Sequence, residues 1–109
     1  MGETAEALEV DEAIRALADP NRRRILSLVR DRPRAVGEVA RELGVSQQIA
    51  SHHLRVLRHA RLVSEQRVRT SHLFAVRTDG LAAVQDFLNG FWPAHLSALK
   101  RSAEAKAKK

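Results

Sequence analysis

The chain contains no cysteine. That absence removes disulfides, thiolate metal sites and thiol redox sensing. No apolar run approaches the roughly 18 residues needed to span a bilayer. The opening residues, Met1–Glu6, are acidic, and no basic n-region with an apolar h-region follows, so they do not read as a signal peptide. A soluble cytoplasmic protein is the expectation. With 109 residues the chain suffices for one domain with a modest core, and pairing with a second copy would bury more apolar surface.

Basic charge is missing from the first part of the chain and concentrated in the middle. Residues 1–14 carry five acidic groups and no basic one, whereas residues 15–77 carry fourteen arginines against Asp19, Asp31, Glu38, Glu42 and Glu65. The overall charge of +6 therefore understates the local excess. A basic segment of this kind is the electrostatic footprint of a nucleic-acid binder.

Periodicity predicts a first helix over 6–18 from Leu8, Ile14 and Leu17. Asp19-Pro20 then ends it and caps a second, which runs to about Val29 with Arg22, Arg23, Arg24 and Arg30 outward. Pro33 disfavours a helical residue before it. Val36, Val39, Ala40 and Leu43 recur at i, i+3, i+4 and i+7, giving a third helix over about 35–43 that Gly44 terminates. Ser46 is a plausible N-cap for a fourth helix running to about Ala60. The period then shortens, and Leu62–Arg67 and Ser71–Val76 read as the strands of a β-hairpin around Val68, Arg69 and Thr70. Thr78 caps a last helix, whose stripe of Leu81, Val84, Leu88, Phe91, Trp92, Leu96 and Leu99 is interrupted at Gly90 and Pro93, so a kink or two abutting segments is expected. Residues 1–102 form the domain, and 103–109 form a basic tail of low complexity, frayed or disordered.

Gly44–Leu57 carries the chemistry. The fourth helix has one face with Ile49, Ala50, His53, Leu54 and Leu57, and another with Gln47, Gln48, Ser51, His52 and Arg55. Gln, Ser, His and Arg can reach base edges and phosphates, so the polar side is a candidate recognition face. A preceding bracing helix and a following hairpin make the unit a winged helix-turn-helix, mainly α with a small β-hairpin, in the order ααααββα.

Several segments together resemble the ArsR/SmtB family of bacterial repressors. Ala16–Leu26 resembles the family's opening motif, Val36–Gln47 its next helix and turn, and Ser51–Arg58 its recognition-helix signature. Phe91-Trp92 is similar to a pair found in a large metal-independent branch. The resemblance covers about residues 7–100. It implies homodimeric, operator-binding repressors whose terminal helices form the dimer interface. The DNA-binding set it supports is Ser46, Gln47, Gln48, Ser51, His52 and Arg55, with Arg67, Arg69 and Thr70 from the wing. The dimer set is Leu8, Ile14, Leu81, Val84, Leu88, Phe91, Trp92 and Leu96. His53 is expected as a core-edge histidine bonded to the backbone rather than a base contact. Two departures stand out: Ala35 occupies a position where relatives carry a Ser or Thr cap, and the wing turn lacks a glycine.

The family's metal switches find no match. The third helix has no cysteine, Asp79 is followed two positions later by Leu81, and His95 by Ala98 three later. A tetrahedral site needs three or four converging ligands, and His52, His53, His59, His72 and His95 are scattered. No metal or cofactor is expected, and nothing names an effector. The alternatives are a metal- or ligand-responsive sensor with a non-standard histidine site and a winged-helix module that binds protein. An enzyme is not expected, since neither a Gly-rich loop nor a nucleophile elbow occurs.

Overall fold

The computed structural model describes residues 4–93 and 103–104. Helix α1 (Ala5–Leu17) is capped by Thr4, whose hydroxyl accepts the Ala7 amide, so the helix starts one residue earlier than periodicity suggested. Helix α2 (Pro20–Asp31) follows after two residues. Asp19 accepts the Asn21 and Arg22 amides, and Pro20 fills the first helical position, where no N–H is required. The helix continues two residues beyond Val29 and stops before Pro33.

Strand β1 (Arg34–Ala35) is two residues long and leads straight into α3 (Val36–Leu43). Ala35 occupies the N-cap position of α3 and provides no side-chain bond. Helix α4 (Gln47–His59) precedes β2 (Val63–Val68), β3 (Ser71–Val76) and α5 (Asp79–Asn89). The expected two-stranded hairpin is a three-stranded antiparallel sheet, ordered β1-β3-β2, because Arg34 pairs with Phe74 and Ala35 with Leu73. Thr78 precedes α5 but makes no capping bond, contrary to its expected role. Helix α5 ends at Asn89, with Gly90 in a turn. Leu96 and Leu99 lie outside the described residues; of the tail, Ala103 and Glu104 are described and helical.

The core lies between α1, α2, α3, α4 and the start of β2. Ile25, Val39, Leu54, Leu57, Leu62 and Val63 are its largest fully buried side chains. Each such side chain contributes about 1.5–3 kcal/mol by leaving water. Gly80 fastens α5 to this body. Its amide donates 2.8 Å to the Arg61 carbonyl, and a Cβ there would lie 2.4 Å from the Ala60 carbonyl oxygen. Only glycine allows that approach.

Candidate nucleic-acid interface

The sharp corner between α3 and α4 is built by Gly44 and Ser46. Gly44 takes φ 70°, a left-handed conformation that other residues enter at a cost. The Val45 amide then reaches back 3.0 Å to the Ala40 carbonyl. Ser46 is extended, and its hydroxyl accepts the Ile49 amide at 3.1 Å. No acidic residue stands in the first turn of α4, so nothing there neutralises the positive end of the helix dipole.

Ala50, His53, Leu54 and Leu57 are buried, while Gln47, Gln48, His52 and Arg55 are exposed and Ser51 is half-buried. Ile49 departs from expectation. It belongs to the apolar stripe by spacing, yet is 48% exposed, because the start of α4 projects beyond the core. An aliphatic group exposed on a helix of this kind is chemically suited to a thymine methyl.

In the wing, Val68 pairs with Ser71, so Arg69 and Thr70 alone make the turn. Arg69 takes φ 58°, a conformation that costs a side-chain-bearing residue about 1–2 kcal/mol. Arg67, Arg69 and Thr70 are exposed. Glu65 anchors the wing to the recognition helix: one carboxylate oxygen accepts from Arg58 at 2.5 Å, and the other lies 2.7 Å from His72 Nδ1.

The arginines divide into two populations. Arg32 and Arg34 meet Glu38, Arg58 meets Glu65, Arg61 meets Glu9 and Arg77 meets Asp79. The Arg32 hydrogen bond foremost holds the Glu38 carboxyl below its ordinary range, and Arg77 does the same for Asp79. Arg23 and Arg24 donate to the carbonyls of Leu17 and Glu42. By contrast the side chains of Arg15, Arg30, Arg41, Arg55, Arg67 and Arg69 make no ion pair or hydrogen bond among the described residues, and the last four lie on α3, α4 and the wing. Arg41, on the exposed side of α3, is a residue the sequence reading missed. It shares a shallow groove with Gly37, Gly44, Val45 and Gln47 at the base of α4.

Arg22 and His53 also correct the sequence reading. Arg22 does not point outward: its side chain is 15% exposed and turns in toward the α1–α2 elbow. His53, 8% exposed, meets Arg22 Nη1 at 3.4 Å through Nδ1 rather than bonding the backbone. Burial depresses the imidazole pKa below its ordinary value; Arg22 and His52 add to that, and Asp19 opposes it. Burial alone would raise the Asp19 carboxyl, but the Asn21 and Arg22 amides and the Arg22 charge hold it below its usual range. Among the described residues no three metal-ligating side chains cluster, and His95 lies outside them.

The proposed dimer residues lie on the terminal helices, with α1 packed against α5. Leu8, Ile14, Leu81, Leu88, Phe91 and Trp92 are exposed, Phe91 at 70%. Val84 instead packs, half-buried, on the core, and Leu96 falls outside the described residues. Phe87, absent from the expected set, is exposed and meets Phe91 edge to face, with centroids 5.2 Å apart.

Comparison with known proteins identifies this arrangement. The profile described as the bacterial regulatory protein arsR family matches residues 19–65. Over 82 residues the chain is 44% identical to the HTH-type transcriptional regulator Rv2034 of Mycobacterium tuberculosis, spanning 75% of this chain and 77% of that protein. It is 29% identical over 80 residues to the transcriptional repressor SdpR of Bacillus subtilis, covering 73% of this chain and 86% of that one. Its fold is similar to the solution structure of the homodimeric winged helix-turn-helix DNA-binding domain Mb0332 from Mycobacterium bovis, a possible ArsR-family regulator. The TM-score there is 0.63 at 28% identity, over 85% of this chain and 94% of that one. The chain belongs to the arsR family of bacterial regulatory proteins and is a winged helix-turn-helix, DNA-binding transcriptional regulator, not an enzyme.

Proposed function

We propose that the protein represses transcription in the cytoplasm as a homodimer bound to an inverted-repeat operator. Each α4 enters a major groove and reads bases through Gln47, Gln48, Ser51 and His52, with Ser46 and Arg55 at the flanking phosphates. Arg67, Arg69 and Thr70 lay the wing along the backbone or the minor groove, whose negative potential favours arginine. The observation that carries this reading is the grouping of side chains without protein partners. Arg55 on α4 and Arg67 and Arg69 on the wing have none among the described residues, and no acid stands in the first turn of α4. The dimer is supported by the exposed face of Leu8, Ile14, Leu81, Leu88, Phe91 and Trp92, joined here by Phe87. A two-fold pair would meet half-sites about 34–36 Å apart.

Selection of bound genomic fragments, followed by titration of the selected duplex from about 50 to about 200 mM salt, tests the reading. Affinity should fall steeply with salt. Arg67→Ala and Arg69→Ala should each weaken binding to every sequence and reduce the salt slope by about one. Gln48→Ala should instead relax selectivity at one base pair, at about 1–3 kcal/mol. Salt-insensitive binding, or selection of no sequence at all, would remove it.

A further inference from the structure

The Arg22 guanidinium joins three helices at one point. Its Nε donates 2.7 Å to the Ala16 carbonyl and its Nη2 3.2 Å to the Arg15 carbonyl, both in the last turn of α1. Those oxygens lie at a helix end where carbonyls run out of i+4 partners, the Arg15 carbonyl also accepting the Ala18 amide at 3.3 Å, and a cation there complements the helix dipole. Nη1 lies 3.7 Å from Asp19, the N-cap of α2, and 3.4 Å from His53 Nδ1 on the inner face of α4. Arginine has no acceptor, so this contact is a hydrogen bond when Nδ1 is the unprotonated nitrogen and the ring is neutral. A lysine ammonium, a point charge without the planar fork, could not meet these acceptors together.

The remaining inward contacts of α4 near this point, Ala50 and Leu54, are apolar. Apolar packing is non-directional and tolerates small slides and rotations. Among the described residues, no other polar side-chain contact joins the first two turns of α4 to another element. His52, the adjacent residue, stands on the exposed base-reading face, with its ring centroid 5.7 Å from that of His53.

We propose that Arg22 is a positioning residue for operator reading: through His53 it holds α4 against the α1–α2 elbow in the orientation that base contacts require. The inference rests on base reading by α4. Base-edge hydrogen bonds demand close placement, whereas phosphate contacts carry no sequence information and tolerate small shifts. Loosening the clamp therefore removes selectivity while leaving general DNA affinity in place.

The test compares a duplex selected by the wild-type protein with an unrelated duplex of equal length. His53→Leu removes the Nδ1 acceptor and keeps an apolar, buried side chain. His53→Asn places an oxygen acceptor near the Nδ1 position. Arg22→Lys keeps the charge and loses the fork. His53→Leu should lower affinity for the selected duplex about tenfold, the size of one lost base contact. Its affinity for the unrelated duplex, its salt slope and its oligomeric state should match wild type. His53→Asn should recover most of the loss, and Arg22→Lys should reproduce it. If Arg22→Lys does not fold, the two His53 variants decide alone. Selected-duplex affinity within about twofold of wild type for His53→Leu overturns the proposal, as does an equal loss on both duplexes. A wild-type protein that prefers no duplex overturns the base-reading role of α4, and this proposal with it, before any variant is compared.

Discussion

Helix α4 and helix α5 are both amphipathic, but of the two only α4 has most of its apolar face covered within this chain. Its inner residues Ala50, Leu54 and Leu57 are buried, and its inner histidine is met by Arg22. Helix α5 is anchored by Gly80 and leans on the core through Val84, yet Leu81, Phe87 and Leu88 are exposed, with Phe91 and Trp92 just beyond. Large apolar groups gathered in this way on a small domain mark a surface that functions covered. On the proposed function, the contrast separates a reading head complete in one protomer from a terminal face that a second copy would cover.

The contrast would break most visibly if the terminal face were made polar. Leu88→Glu combined with Phe91→Glu should give a folded monomer by sedimentation. Its operator affinity should fall by about 100-fold or more, because two half-sites would no longer be held by linked domains. A monodisperse dimer in that variant would show that the exposed face is not the interface. Gly80→Ala comes next in size. The added Cβ must displace the Ala60 carbonyl or lift α5, so thermal unfolding should report a loss of about 1–3 kcal/mol. An unchanged melting temperature would mean that α5 is not seated as described.

Acidification should act on the reading-head side of the comparison. His53 titrates below its ordinary value in the folded protein, while the unfolded chain takes up its proton near pH 6.5. The unfolded state therefore binds more protons in the intervening window, and stability falls as pH drops below about 6.5. Denaturant melts at about pH 7.5 and about pH 5.5 should show this loss in the wild type and less of it in His53→Asn. Equal losses would place the acid-sensitive group elsewhere. The smallest expected effect is a gain. Ala35→Ser would supply the side-chain bond that α3 lacks at its N-terminus and should raise stability by about 1 kcal/mol in the same melts.

Much of this was legible in the chain because helix periodicity and capping are local. Asp19, Gly44 and Ser46 sit where their caps were expected, and Gln47, Gln48, His52 and Arg55 face solvent as the spacing required. The misreadings have long-range causes. β1 is only two residues long and exists because β3, nearly forty positions later, pairs with it. Thr78 resembles a cap by type and place, but its hydroxyl makes no capping bond, and Gly80 fixes α5 instead. Ile49 obeys the stripe yet has nothing over it. Phe87 lies off the heptad drawn through Leu81, Val84 and Leu88, and its exposure beside Phe91 emerges only once α5 is packed.

By itself, the sequence determined the helices, the caps at Asp19, Gly44 and Ser46, the polar face of α4 and the arginine excess, since each depends on residues a few positions apart. Only the tertiary structure decided which arginines are occupied. Arg22, Arg23 and Arg24 are consecutive and chemically identical, and a solvent-facing role was expected for all three. Folding turned Arg22 inward to α1 and His53 and tied the other two to separate carbonyls. It left Arg55, Arg67 and Arg69 without protein partners among the described residues. A guanidinium's partner is set by which distant acceptor the fold brings within about 3 Å, and no local pattern encodes that distance.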